Sequence, residues 1–163
     1  MGRVAALMGD WAEALDLPDS DAVRWRASGY LHDALREARP DELRRKLPPD
    51  LAGLPDATLH GPAAAERLRI DGVLDGELLA ALSYHTVGHG SLTRLGRALY
   101  CADFLEPGRA FRVEWREGLR KRMPGSVDDV SREVLGARIT YNVDRGLDLL
   151  PQTVSFWNAL VTR

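Results

Sequence analysis

Residues 84–109 read YHTVGHGSLTRLGRALYCADFLEPGR. From Ser91 onward the apolar positions Leu92, Leu95, Leu99 and Ala102 recur at helical spacing. Asp103 falls one turn after Leu99 on nearly the same side, so a helix that buries this face carries a carboxylate toward the core. The preceding segment does the same with an imidazole, because Leu78, Leu82 and His85 form one stripe. Burying an unpaired ionised carboxylate is costly, so an inward Asp requires a cation, several donors or protonation.

Spacings of three and four dominate the rest of the chain, and alternation over strand length is hard to find, so an all-α fold is expected. A first helix should run from Gly2 to Leu15, broken by DLPDSD. Asp19 or Ser20 can cap a second helix that carries Val23, Ala27, Tyr30 and Leu31 inward and fades near Arg39-Pro40. PDELRRKL (40–47) reads as a short helix, and PPDLAGLPDATLHGP (48–62) as the longest irregular stretch. Pro62 suits the first turn of the next helix. Further helices are expected over 62–70, 75–86 and 91–105, with a basic one over 112–123. Ser126 with Asp129 resembles a capping box for a long helix reaching Arg145. A chain of 163 residues is most simply a single domain, 1–163, with 151–163 as a C-terminal packing helix.

Composition narrows the function. The net charge is −2 and both signs are interspersed, which gives no broad cationic face for nucleic acid. One cysteine, Cys101, excludes an internal disulfide and a four-sulfur zinc site. The opening MGRVAALMGDWAEALDL is amphipathic and carries acids, unlike a secretory segment. No apolar run reaches membrane-spanning length, so a cytoplasmic protein without a membrane partner is expected.

Three of the four histidines and two aspartates sit at segment ends or on core faces: His32, Asp33, His60, His85 and Asp103. Any one alone is more commonly a buried polar group bonded to backbone or to Arg. Taken together they suit a site assembled from several helices, and a metal ion answers the charge demand of all of them at once. Mixed imidazole and carboxylate ligands suit a divalent first-row metal such as iron, manganese or zinc. His89, in the turn after His85, reads first as a solvated residue and second as a substrate contact. Cys101 reads as a small core residue, and the four Trp as core or rim.

YLHDALREA (30–38), LHGPAAAERL (59–68), YHTVG (84–88) and ALYCADFLEPGR (98–109), in this order, resemble the HD-domain metallophosphohydrolases, specifically the YqeK family of symmetrical diadenosine tetraphosphate hydrolases. The resemblance runs from Arg3 to Leu150. It implies an HD-domain helical bundle with a centre of two divalent ions, in which His32, Asp33, His60, His85 and Asp103 match ligand positions and Asp33 bridges. Two ions about 3.5–4 Å apart would activate a hydroxide for in-line attack on phosphorus. Asp33 and Arg36 are then the catalytic candidates, and Arg36, Thr86, His89 and Arg109 the substrate contacts. Glu106 would either support the ligands from behind or end its helix. The products would be two ADP.

Two positions depart from the family pattern. Arg36 stands where Lys is usual, and a planar guanidinium does not replace an ammonium geometrically. The family also has a His shortly before an RVA-like run, which here would fall immediately before Met1. Either the natural protein starts further upstream, which is the favoured reading, or the centre is one ligand short. Two rival functions follow: an HD phosphohydrolase acting on another nucleotide, and a degenerate HD domain that binds nucleotide without cleaving it. A homodimer is compatible with all three.

Overall fold

Prolines place several helix starts: Pro40, Pro49 and Pro151 each occupy a first helical turn, where a missing N–H costs nothing. The computed structural model describes residues 2–162, which are all-α, with no strand among them. The helices are α1 (Gly2–Ala14), α2 (Asp19–Leu31), α3 (Pro40–Arg44), α4 (Pro49–Ala52), a 3-10 turn (Asp56–Thr58), α5 (His60–Ile70), α6 (Gly76–Tyr84), α7 (Arg94–Leu105), α8 (Val113–Arg122), α9 (Val127–Asp144) and α10 (Pro151–Val161).

Helix α7 is the centre of the bundle. Leu95, Ala98, Leu99, Tyr100, Cys101, Ala102 and Leu105 are all buried, so it is apolar nearly all round, as a helix enclosed by neighbours must be. Helices α1, α2, α6, α8 and α9 pack on it, α5 pairs with α6, and α10 lies on α9. Val4, Met8, Trp11 and Trp25 join this core. A second cluster of Leu43, Leu47, Leu54, Leu59 and Ala63 fastens the segment between α2 and α5. That segment, expected to be irregular, therefore contains α4 and the 3-10 turn, and α5 begins at His60.

Helix α2 overturns its expected inward face. Trp25, Ser28 and Gly29 are buried, whereas Val23 is 67% and Tyr30 54% exposed. The reason is the crossing with α1: a Cβ on Gly29 would lie 2.5 Å from the Cα of Ala5. Only the small-residue side of α2 can approach so closely, and Val23 and Tyr30 are turned outward, while Leu31 stays packed against the core as expected. One expected cap is replaced, and another holds its position without a side-chain bond. Pro18 holds the cap position of α2 with no side-chain bond, leaving Asp19 and Asp21 in the first turn, where the helix dipole favours acids. Ser126 makes no capping bond to α9, and Asp129 instead accepts from Arg132 at 2.9 Å.

Candidate metal centre

Two histidines sit just past helix ends, where backbone carbonyls lack intrahelical partners. His32 follows α2 and its Nδ1 donates to the carbonyl of Gly29 at 2.8 Å. His85 follows α6 and its Nδ1 donates to the carbonyl of Leu82 at 2.9 Å. A carbonyl only accepts, so each Nδ1 carries a proton and each ring turns its Nε2 the other way. His60 opens α5, and Gly61 beside it lets α5 approach α6: a Cβ there would meet the carbonyl of Leu82 at 2.5 Å and the His85 ring at 3.0 Å. Asp33 lies in the turn after α2, and Asp103 lies in the last turn of α7.

These elements bring five side chains together. His60 Nε2 is 3.1 Å from His85 Nε2. Asp33 Oδ1 is 3.2 Å from His60 Nε2 and 3.9 Å from His85 Nε2. Asp33 Oδ2 is 3.5 Å from His32 Nε2, which lies 3.8 Å from Asp103 Oδ1. Donor atoms bound to one ion at about 2.1 Å lie roughly 3–4 Å apart, and Asp33, His60 and His85 meet that spacing, so they could hold a metal ion. The donor set fits such an ion chemically: His32 Nε2 faces two carboxylates, and a lone pair there would meet only acceptors, an arrangement that requires either a proton or a cation between them. Cys101 takes no part, being buried against Ser131.

Electrostatics keep two of the candidate ligands in a form that can bind an ion. Burial pushes the Asp33 carboxyl up, but the hydrogen bond from His60 and the charges of His32 and Arg36 outweigh it and hold it well below the usual carboxylate range. Burial pushes His85 down to about 4, against the opposing effect of its bond to the Leu82 carbonyl. Asp33 is thus ionised and His85 neutral at neutral pH, the states that ligate.

The other predicted residues surround this group. Arg36 Nη1 donates to Asp33 Oδ1 at 3.2 Å, and Arg109 Nη2 to Asp103 Oδ1 at 2.9 Å. Thr86 Oγ1 lies 3.0 Å from His85 Nε2. Glu106 accepts from Arg3 Nε at 2.5 Å and from the Gly108 N–H at 2.9 Å. It also lies 3.7 Å from Arg109, so it anchors the guanidinium that meets Asp103. His89 is not gathered in: its ring stacks on Tyr84 at 4.5 Å and bonds Ser91 at 2.7 Å. Sequence reading missed Arg138, which donates to the Thr86 carbonyl at 2.7 Å, and Arg116, buried within a helix that looks basic all round. The only signal for Arg116 is its spacing to Leu119 and Met123, which share its face.

The fold is that of an HD-domain protein. An HD superfamily hydrolase from Clostridium acetobutylicum, described as predicted and as involved in NAD metabolism, superposes with a TM-score of 0.86 at 22% identity, covering 99% of this chain and 87% of its own. No family model matches the chain. Symmetrical bis(5'-nucleosyl)-tetraphosphatases are similar in sequence. The one from Staphylococcus aureus is 25% identical over 88% of this chain and 77% of its own length. That from Halalkalibacterium halodurans is 24% identical over 98% and 89%, and that from Bacillus subtilis 25% over 88% and 79%. The chain thus shares its fold with an HD-domain protein and is similar, at about 25% identity along most of its length, to these three tetraphosphatases.

Proposed function

We propose that this protein is a metal-dependent phosphohydrolase that cleaves diadenosine tetraphosphate symmetrically into two ADP. The observation that carries this reading is the division of Asp33. One oxygen faces His60 and His85, and the other faces His32, beside Asp103. In this reading Asp33 Oδ1, His60 and His85 hold one ion, and Asp33 Oδ2, His32 and Asp103 a second, with iron or manganese as suitable metals. When bound, such ions supply acidified water and neutralise phosphoryl charge. The three bacterial tetraphosphatases, similar along most of their length, support the substrate.

The chain's own groups then have distinct tasks. The carbonyls of Gly29 and Leu82 fix two imidazoles in the ligating tautomer. Arg36 and Arg109, half exposed at the rim and held by Asp33 and Asp103, can turn a guanidinium toward phosphate oxygens and stabilise charge developing in the transition state. Thr86 Oγ1, 3.0 Å from the His85 Nε2 that would bind an ion, stands beside the ligand position rather than behind it. Glu106 restrains Arg109 from behind.

Protein loaded with manganese(II) or, without oxygen, iron(II), and given diadenosine tetraphosphate, is expected to release ADP as the sole nucleotide product. Chelation should stop the reaction. Release of ATP with AMP, or no turnover by metal-loaded protein, overturns the reading.

A further inference from the structure

Beyond the ligands, the end of α7 opens onto a cleft of about 680 Å³ bordered by Phe104, Phe111, Arg112, Arg138, Tyr141 and Asn142. Its volume lies in the range of small-molecule sites. Phe104 follows the candidate ligand Asp103 in α7, and Arg138, which also lines the cleft, donates to the carbonyl of Thr86 next to His85.

Its walls are unusual for an unoccupied surface. Phe111 is 50% and Tyr141 54% exposed, although large aromatic rings are normally covered. Each carries a guanidinium near its ring, Arg116 at 4.5 Å from Phe111 and Arg145 at 4.4 Å from Tyr141, and one cation can occupy only one face. Arg116 is 1% exposed, also lies 4.8 Å from the Phe104 ring, and has no hydrogen-bond partner for Nε or Nη1. Arg116 Nη2 donates to the Phe104 carbonyl, and its guanidinium backs the aromatic wall, the cation–π arrangement found where bases stack. Arg112, at the start of α8, holds a left-handed backbone with φ of 47°, a conformation that costs energy for a residue with a side chain and that concentrates at functional sites.

Aromatic faces, guanidinium groups and an amide at one edge are the chemistry that receives a nucleobase. We propose that this cleft holds one base of the nucleotide substrate, stacked on Phe111 and Tyr141 with Asn142 reading its edge. The proposal rests on the phosphohydrolase reading for its orientation: the phosphates run from the cleft past Asp103 to the ligands.

The test measures binding, so it does not depend on turnover. ADP and inorganic pyrophosphate are titrated calorimetrically, with manganese(II) present, into wild-type protein and the Phe111→Ala/Tyr141→Ala double variant. Because stacking is worth roughly tenfold to hundredfold in affinity, ADP should weaken by about that factor and pyrophosphate hardly at all. Tyr141→Ala alone, on an exposed position of α9, gives the same contrast if the double variant is unstable. Unchanged ADP affinity, a parallel loss for both probes, or wild-type protein that binds pyrophosphate as tightly as ADP overturns the proposal. A protein that shows the contrast yet does not cleave diadenosine tetraphosphate retains the base cleft and loses the hydrolase reading.

Discussion

At the scale of single residues, the protonation of His85 ties the site to stability. Its folded pKa is about 4, pushed down by burial from the ordinary 6.5, so the unfolded chain takes up the proton first. The sign follows: the contribution is intact above about 6.5 and is lost as pH falls toward about 4. Fully expressed it is on the order of 3 kcal/mol. Asp33, whose folded pKa is also lowered, loses its contribution in a separate window below its ordinary 3.8. Denaturant unfolding of metal-free protein is therefore expected to give a lower midpoint at pH 4.5 than at pH 7. Equal midpoints would mean that the His85 ring is hydrated in the folded state. Of the five converging side chains, His85 and Asp103 were legible from inward stripes, after Leu78 and Leu82 and after Leu95 and Leu99, whereas His32, Asp33 and His60 stood out only by their places at segment ends and by the family resemblance. Arg116 was not, since local composition says charged surface and only the crossing of α8 over the end of α7 buries it.

Among the elements, α2 shows why hydrophobic pattern alone mispredicts a helix that serves a site. Its bulky apolar residues Val23 and Tyr30 suggest one face, but the carbonyl of Gly29 and the ring of His32 must meet α1, α6 and α7 on another. The inward face is chosen by close approach and hydrogen bonding, which a hydrophobicity count does not weigh. Gly29→Ala should reveal this: the new methyl meets backbone atoms of α1 at 2.5–3.0 Å, and backbone cannot rotate aside. The variant is expected to lose roughly 1–3 kcal/mol in denaturant unfolding, as overpacked positions do, and to bind metal more weakly because the carbonyl that orients His32 moves. Wild-type stability with unaltered metal affinity would show that α1 and α2 lie further apart. The cleft beside α7 was illegible for a related reason, since Phe104, Arg112 and Tyr141 come from three helices whose meeting no local pattern encodes.

For the whole molecule, the candidate ligands join parts that the core does not hold equally. Asp103 is fixed in the enclosed helix α7, while His60 begins α5 against the smaller leucine cluster and Asp33 lies in the turn that follows α2. An ion bound to Asp33, His60 and His85 would tie these parts together, and because the unfolded chain lacks the assembled site, binding would appear as stability. At a free metal concentration of about one hundred times Kd the gain is about 2.7 kcal/mol, which for a chain of this size raises Tm by roughly 5–10 °C. Manganese(II) added to chelator-treated protein should produce that shift. In Asp33→Asn, which keeps the shape and removes the charge shared by both sets of imidazoles, the shift should nearly vanish while helix content by circular dichroism is kept. An equal shift in wild type and variant would place the bound ion elsewhere on the surface. No shift in either would leave the converging imidazoles and carboxylates to protons alone, and the phosphohydrolase reading would lose the cation on which its chemistry depends.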